Sequence, residues 1–165
     1  SRSGRSAKTR RAGRCRRRRM ADLGRASAAR GKDTTMDRKP LVLLIDDDVD
    51  FVRINRAILE HNGYEVESAA TSAEGVAKAV ERKPDVIVLD LMIESTSAGA
   101  TVAQMLREHD ELKNVPILLA TAVRRIKPWW GNVTPNTDWL PVNKVLDKPI
   151  SPDELLAEIA AVLGR

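Results

Sequence analysis

The sequence predicts an α/β fold built on a doubly wound, five-stranded parallel sheet. Short apolar runs alternate with amphipathic stretches from residue 41 onward, which is typical of strands joined by helical crossovers. The runs are almost continuous in valine, isoleucine and leucine, as expected of strands that are buried on both faces. The chain has 165 residues and is 42% hydrophobic, so it has room for one ordinary domain with a core.

Strands and helices alternate in the predicted order of elements. The five strands are short apolar runs, and they cover residues 41–45, 64–68, 86–89, 117–120 and 145–146. The four helices have an apolar period near that of an α-helix, and they cover residues 50–61, 71–82, 99–109 and 151–163. This alternation predicts right-handed crossovers, with helices on both faces of the sheet.

Residues typical of helix ends support these boundaries. Asp48 and Asp50 stand at the start of the first helix, where acidic side chains favour the helix dipole. An Asn-Gly pair at residues 62–63 ends that helix, as is typical of a C-cap. Thr71 and Glu74 have the spacing of a capping box at the start of the second helix.

The helical period also predicts which side chains face the sheet. In the first helix these are Phe51, Ile54, Ile58 and Leu59. In the third helix these are Val102, Met105 and Leu106. The last helix is the most clearly marked, because Ser151 at its cap is followed by Pro152 and, three residues on, by Glu154.

Residues 122–143 break this rhythm. Three prolines interrupt the segment and no helical period runs through it. We therefore expect a long ordered loop, in which the helix between the fourth and fifth strands is shortened or replaced. The loop contains Trp129, Trp130 and Trp139, three of the five aromatic residues of the chain. These tryptophans either cover the sheet surface that a missing helix leaves open, or they form a partner-binding or switching element.

The charge of the chain is divided unevenly, and we expect residues 1–38 to be a disordered basic leader ahead of a domain at 39–165. Residues 1–40 contain 15 lysines and arginines and three acids, whereas residues 41–165 contain 13 bases and 20 acids, a net charge of −7. The leader has no apolar stretch able to form a core. We interpret it as a translated upstream segment or an expression remnant, with Met36 as the favoured start. The alternatives are an arm for nucleic acid or anionic lipid and an organelle transit peptide.

The composition excludes several classes of protein. Cys15 is the only cysteine and lies in the leader, so the domain can have neither a disulfide nor a thiolate metal site. No apolar run approaches the length of a membrane span, and the sequence shows no cleavable secretory signal. We therefore expect a cytoplasmic protein without a membrane partner.

Polar residues stand where four of the apolar runs stop. Asp46 and Asp47 follow the first strand, Asp90 the third, Thr121 the fourth and Lys148 the last. The carboxyl ends of the strands in such a sheet meet at one edge, where ligands bind. Three acids, a hydroxyl and an ammonium at this edge predict a site for a divalent cation and a phosphoryl group.

Each of these residues has a predicted chemical role. A hard cation such as Mg²⁺ prefers oxygen ligands, and the predicted ligands are the carboxylates of Asp46, Asp47 and Asp90 and the backbone carbonyl of Met92. Asp90 is also the predicted nucleophile, which accepts a phosphoryl group as an acyl phosphate. Thr121 would donate its hydroxyl to one phosphoryl oxygen, and Lys148 would pair with another.

From about Leu41 to Leu163 the chain resembles a receiver domain, the response-regulator domain of two-component signalling. The motifs that carry the resemblance are Asp46-Asp47, Asp90 in Val-Leu-Asp-Leu-Met, Thr121-Ala122 and Lys148-Pro149, whose peptide bond the family usually holds in cis. Arg53, six residues past Asp47, fits the same register. Residues 138–142 also resemble a subgroup of stand-alone receivers with a long loop before the last strand. Because the sequence stops after the final helix, no DNA-binding output domain is expected.

The resemblance implies a flavodoxin-like receiver fold, dependence on Mg²⁺, and phosphorylation of Asp90 by a sensor histidine kinase or a histidine phosphotransfer protein. In such a phosphorelay the domain would signal to a downstream protein target through a protein–protein contact. It would not be an enzyme, apart from intrinsic autodephosphorylation. Contact with nucleic acid is expected only through the basic leader.

The chain departs from the family pattern in two places. Receivers usually carry proline four residues and glycine eight residues after the phosphoacceptor, but these positions are Glu94 and Ala98 here, with Gly99 one place late. The usual aromatic switch residue, three before the conserved lysine, is replaced by Val145. A branched aliphatic side chain cannot swing as a ring does, so a signal is expected to pass through residues 122–143 instead.

These departures leave a second function open, a phosphorylation-independent scaffold or binding module with a receiver-like fold. A third hypothesis, an aspartate-nucleophile phosphatase, is disfavoured. Such an enzyme needs a second acid two residues after the nucleophile to act as general acid, and Met92 stands there.

Overall fold

A computed structural model describes residues 38–94, 98–122 and 135–165 of the chain. The predicted basic leader lies outside the described residues except for Arg38, whose guanidinium is 2.7 Å from the carboxylate of Asp85. The division into a leader at 1–38 and a domain at 39–165 therefore stays a prediction. None of the described helices is long and apolar enough to cross a membrane.

In the described ranges the domain contains five strands and four α-helices. The strands are β1 Leu41–Ile45, β2 Glu65–Ala69, β3 Val86–Asp90, β4 Ile117–Thr121 and β5 Lys144–Asp147. The helices are α1 Val49–His61, α2 Ser72–Arg82, α3 Ala98–Glu108 and α4 Pro152–Val162, with a 3-10 turn at Asp110–Leu112. The strands form one parallel sheet in the order β2-β1-β3-β4-β5. The predicted doubly wound parallel fold is confirmed.

Helices cover both faces of this sheet, which explains the apolar character of the strands. One layer of core packs α2 and α3 against inward side chains such as Leu43 and Leu119. The other packs α1 and α4 against alternate side chains of the same strands, such as Leu44 and Leu118. Because successive residues of a strand point to opposite faces, a strand between two helical layers has no polar face.

The predicted helix ends are confirmed where capping side chains were expected. Thr71 Oγ1 accepts a hydrogen bond from the N–H of Glu74 at 3.2 Å. Ser151 Oγ accepts from the N–H of Glu154 at the same distance. Gly63, just past the C-cap of α1, has a φ of +87°, a left-handed conformation that costs glycine little.

Two side chains predicted to face the sheet do not, so these predictions were wrong. Ile54 in α1 is 51% exposed and Met105 in α3 is 43% exposed. Asn55 is buried in place of Ile54, and its amide donates to the carbonyl of Phe51 at 2.8 Å. The apolar period defines a wide stripe, but contact with the sheet selects a narrower arc, and an amide satisfied by its own helix can enter that arc.

The loop before β5 is described only from residue 135. Residues 135–143 contain no helix, and an isolated antiparallel bridge joins Thr137 and Leu140. Leu140 and Val142 are buried in the core beside α3. The expectation for residues 123–134, which include Trp129 and Trp130, lies outside the described residues.

Trp139 is partly exposed, and whether it covers the sheet or serves a partner stays a prediction. It is 45% exposed, although its carbonyl accepts a hydrogen bond from Gln104 Nε2 at 3.1 Å. The neighbouring aliphatic side chains of the loop fill the core. Trp139 is therefore accessible from solvent beside α3.

Candidate functional site

The register of the sheet brings the strand ends together at one edge. Ile45 pairs with Leu89 across β1 and β3, so Asp46 and Asp90 each stand one residue past this pair. Thr121 ends β4 beside them, one residue beyond the partner of Asp90. The predicted convergence of these strand ends is observed.

Three carboxylates form a cluster at this edge. One oxygen each from Asp46, Asp47 and Asp90 lies within 4.8 Å of the other two. Asp46 and Asp90 are 4% and 8% exposed, whereas Asp47 is open to solvent. Two buried acids beside an accessible one provide both a low-dielectric site and an entry path.

Backbone groups fix the two buried carboxylates. Asp46 Oδ1 accepts a hydrogen bond from the N–H of Asp48 at 2.9 Å, and Asp90 Oδ1 accepts from the N–H of Met92 at 3.0 Å. Asp48 is also the N-cap of α1. The loop after β1 therefore sets the position of Asp46 and the start of α1 together.

Lys148 joins the two buried carboxylates. Its Nζ is 2.5 Å from Asp46 Oδ2 and 3.2 Å from Asp90 Oδ2. The backbone N–H of Lys148 donates to the carbonyl of Thr121 at 2.8 Å, and the following Lys148–Pro149 peptide bond is cis. The ammonium also lies 4.3 Å from the centroid of the Phe51 ring.

The electrostatics of the site favour an added cation. Burial is the main reason that the pKa of Asp46 is raised, although hydrogen bonds from Lys148 and from the Asp48 N–H oppose it. Burial alone would lower the pKa of Lys148, but its hydrogen bond to Asp46 and the charges of Asp46 and Asp90 raise it. Asp46 thus holds its proton more tightly mainly because it is buried, and Lys148 does so because two carboxylates surround its ammonium.

The donor set fits a hard divalent cation such as Mg²⁺. Three carboxylate oxygens within 4.8 Å of one another are the kind of donor that this ion prefers, and the accessible side leaves room for its waters. The cluster consists of the predicted acids Asp46, Asp47 and Asp90. The ligand role of the Met92 carbonyl stays a prediction.

Thr121 is almost completely buried at the end of β4, with 1% of its surface exposed. Its carbonyl accepts a hydrogen bond from the backbone N–H of Lys148, so the positions of both residues depend on the pairing of β4 with β5. The donation of its hydroxyl to a phosphoryl group stays a prediction.

The loop between β3 and α3 explains why a glycine stands at residue 99, one place later than in the family pattern. The N–H of Gly99 donates to the carbonyl of Leu91 at 3.1 Å. A Cβ on Gly99 would stand 2.3 Å from the carbonyl oxygen of Asp90. The close approach of α3 to the acid therefore needs a glycine at residue 99.

Glu94, in the place where the family usually has proline, ties this loop to α2. It adopts a φ of +57°, and its carboxylate accepts from the N–H of Ser72 at 2.9 Å. The contact with Ser72, whose N–H donates to this carboxylate, lowers the pKa of Glu94. The remodelled loop is thus anchored to a neighbouring helix.

Two residues at the site escaped the sequence analysis. Phe51 was assigned only to the core, because the helical period accounted for it, and its contact with Lys148 depends on the folded chain. Asp48 was interpreted as a helix charge, and its N–H also positions Asp46. The signal available for both was their place within one helical turn of the acidic pair.

Comparison with known proteins agrees with this geometry. Residues 42–160 match the model of the response regulator receiver domain family. The DNA-binding dual master transcriptional regulator RpaA of Synechocystis sp. is 37% identical over 129 residues, which cover 76% of this chain and 50% of that protein. The phosphate regulon transcriptional regulatory protein PhoB of Pseudomonas aeruginosa is 33% identical, covering 75% and 52%. The chain thus spans about half the length of these relatives.

Solved structures share the fold. The chemotaxis response regulator CheY4 of Vibrio cholerae has a TM-score of 0.62 and 28% identity, over 75% of this chain and 98% of that one. The receiver domain of the sensor histidine kinase PA1611 from Pseudomonas aeruginosa, solved with a magnesium ion in its active site cleft, has a TM-score of 0.66. At 23% identity, over 77% of this chain and 99% of that one, the second likeness shows the fold alone.

Proposed function

Because the chain belongs to the response regulator receiver family, we propose that it is a phosphoacceptor that takes a phosphoryl group on Asp90. The observation that carries this proposal is the position of Lys148, whose ammonium contacts the carboxylates of Asp46 and Asp90 next to a third acid. A nucleophilic carboxylate, a cation site and an ammonium in contact are the groups that phosphoryl transfer to aspartate needs.

Asp90 forms the new bond in the proposed reaction. One of its carboxylate oxygens attacks the phosphorus of the donor, and the bond between phosphorus and the leaving group breaks. The electron pair of that bond leaves with the donor, so that Asp90 becomes an acyl phosphate. Asp90 Oδ1 already accepts the N–H of Met92, which fixes the carboxylate for attack.

The other groups at the site stabilise the charge on the transferred oxygens. Asp46, Asp47 and Asp90 would hold Mg²⁺, which supplies positive charge when it is bound. Lys148 pairs with one phosphoryl oxygen, and Thr121 donates its hydroxyl to another. These roles make the domain a receiver of phosphoryl groups, with no catalytic turnover beyond loss of its own phosphate.

The donor in this proposal is a sensor histidine kinase or a histidine phosphotransfer protein, and the output is a contact with a downstream protein in the cytoplasm. The curated relatives above are transcriptional regulators about twice as long as the matched segment. Val145 replaces the usual aromatic switch, which favours the loop around Trp139 as the readout.

A second candidate function is a scaffold that binds its partner without phosphorylation. The observation that favours it is the loop after Asp90, where Glu94 is tied to the N–H of Ser72 and replaces the usual proline. A loop held in this way by α2 has less freedom to respond to a phosphoryl group.

The two functions are separated by incubating the full chain with phosphoramidate and Mg²⁺ and measuring its intact mass. A receiver gains one phosphoryl group, stable in acid and labile in base, and Asp90→Asn loses this gain. Asp147→Asn is the matched control, because it removes an exposed acid at the end of β5. Normal Mg²⁺ binding without an adduct would favour the scaffold.

A further inference from the structure

The geometry points to Phe51 as a positioning residue for Lys148. We propose that the ring of Phe51 provides a fixed contact surface for the Lys148 ammonium. This contact keeps the ammonium at the phosphorylation site when the carboxylates ligate a metal or accept a phosphoryl group. This inference rests on the proposed function and deepens it, because it adds a residue that no motif of the site includes.

The contact has the geometry of a cation–π interaction. Lys148 Nζ lies 4.3 Å from the centroid of the ring, well inside the limit of about 6 Å for such pairs. The lysine side chain is only 14% exposed, so water screens the contact weakly. An ammonium that is held over a ring and shielded from solvent gains more from the contact than an exposed one.

The ring differs in one respect from the other two partners of the ammonium. Asp46 and Asp90 contact Lys148 through carboxylate oxygens, and these carboxylates belong to the acidic cluster that fits a cation. A carboxylate shares its charge with a metal that it ligates, and the Asp90 carboxylate loses its own charge when it becomes an acyl phosphate, so the carboxylate contacts of the ammonium change during the reaction. The ring undergoes no such change, so its contact persists throughout the reaction.

The backbone around Phe51 holds the ring in place. The N–H of Phe51 donates to Asp48 Oδ1 at 3.0 Å, and the carbonyl of Phe51 accepts from Asn55 Nδ2 at 2.8 Å. The N–H of Asp48 in turn donates to Asp46 Oδ1. The Phe51 ring and the buried Asp46 carboxylate are therefore positioned by the same turn.

The composition of the chain allows a direct test. Phe51 is the only phenylalanine in the 165 residues, so growth on a fluorinated phenylalanine labels this position alone. Fluorine withdraws electron density from the ring face with little change in shape. From mono- to trifluorinated ring, the phosphorylation rate with phosphoramidate at saturating Mg²⁺ should fall stepwise by about 2- to 30-fold, the range given by cation–π strengths.

Matched variants separate positioning from packing. Phe51→Tyr keeps an aromatic face and should retain most of the rate, whereas Phe51→Leu keeps apolar contact and should lose as much as the trifluorinated ring. The denaturation midpoint should stay constant across the fluorinated series. An equal rate throughout that series would overturn the inference.

Fluorine NMR reads out the contact without phosphorylation. The resonance of the monofluorinated ring should move in Lys148→Met and stay in place in Lys144→Met, which removes an exposed lysine paired with Glu158. A fluorine resonance that does not move in Lys148→Met would also overturn the inference. If the unmodified protein forms no adduct, the proposed function and this inference both fall. If it forms the adduct and the fluorinated series is flat, only this inference falls.

Discussion

At the scale of single residues, the site contains more negative than positive charge. Three acids converge at the ends of β1 and β3, and one ammonium bridges the two buried ones. Among the described residues, Asp47, the exposed member of the cluster, makes no hydrogen bond or ion pair with that ammonium, so it adds mainly repulsion in the absence of metal. Its charge is useful only when a cation is bound.

Asp47→Asn should therefore change stability and metal affinity in opposite directions. We expect the free energy of unfolding without metal to rise by about 0.5–1 kcal/mol, since one like charge is removed from a partly solvated cluster. Mg²⁺ affinity should fall, because a carboxylate ligand is lost. Urea denaturation and calorimetric titration measure the two effects.

The control for Asp47→Asn is Glu81→Gln, which removes an exposed acid from α2. It should leave Mg²⁺ affinity unchanged and alter stability little. A decrease in metal-free stability in Asp47→Asn would contradict the view that this acid is repelled at the site.

Glu74 gives a prediction for pH at the same scale. A hydrogen bond from Lys78 and another from the N–H of Ala70 lower the pKa of Glu74. A carboxyl with a lowered pKa in the folded state contributes stability above its unfolded value, and loses it as the pH falls through the lowered value. That loss should occur below about pH 4.3.

The side-chain carboxyl of Glu74, followed by NMR, should titrate at a lower pH than an ordinary glutamate. Lys78→Met should shift the midpoint upward, because it removes the ion pair at 2.8 Å, whereas Lys144→Met should not. The effect on stability is small because Glu74 is solvent-exposed. A midpoint unaffected by Lys78→Met would rule out the ion pair as the cause.

At the scale of elements, the approach of α3 to the end of β3 determines the backbone around Asp90. Gly99 in the first turn of α3 packs against the carbonyl oxygen of Asp90 and Leu91 Cα, at 2.3 and 2.6 Å from the position of a Cβ. Gly75 in α2 packs closely too, but against side-chain atoms, with Ile45 Cδ1 and Cγ2 each 2.8 Å from the position of a Cβ. A side chain can shift to make room, whereas the backbone at Asp90 cannot move without moving its carboxylate.

Gly99→Ala should thus destabilise the domain by about 1–3 kcal/mol, the usual cost of overpacking, and slow phosphorylation of Asp90. Gly75→Ala is the matched control, because both changes replace a helical glycine and gain the same helix propensity. It should cost less and leave the phosphorylation rate unchanged. Equal rates in the two variants would mean that the close approach of α3 does not position Asp90.

The elements also show what could be predicted from the sequence. Asp46, Asp90 and Thr121 were placed correctly at one edge, because a polar residue that ends a buried parallel strand has a defined position in the sheet. The rotation of the helices was not predictable to one residue, so Ile54 and Met105 were assigned to the core and are exposed. Apolar periodicity records the stripe, while the sheet and neighbouring helices select the buried arc.

Contacts between distant side chains were the other part that could not be predicted. The contact of Lys148 with the Phe51 ring depends on the distance between α1 and the end of β5, which no local pattern encodes. The contacts of Arg107 are similar, since its guanidinium donates to the carbonyls of Leu112 and Val115 ahead of β4 and to that of Pro141 in the loop before β5. Burial lowers the pKa of Arg107, and these acceptors offset its desolvation.

At the scale of the whole molecule, charge acts at two ranges. Residues 41–165 have a net charge of −7. At an ionic strength of 0.1 M, dissolved ions screen the field of this charge beyond about 10 Å. The carboxylate cluster is local and partly buried, so a monovalent salt screens it poorly. A divalent cation bound there would join the carboxyl ends of β1 and β3, and it would stabilise the folded state because the unfolded chain does not hold these acids together.

Mg²⁺ should consequently stabilise the protein beyond the effect of ionic strength. At 100 times its Kd, a ligand that binds only the folded state adds about 2.7 kcal/mol to the free energy of unfolding. Urea denaturation in MgCl₂, compared with KCl of equal ionic strength, isolates this term, and a chelator should remove it. Asp90→Asn should lose most of the difference, and Glu81→Gln should keep it. Equal stabilisation by KCl would mean that the acids respond only to screening, and the cation site proposed at the strand ends would then have to be abandoned.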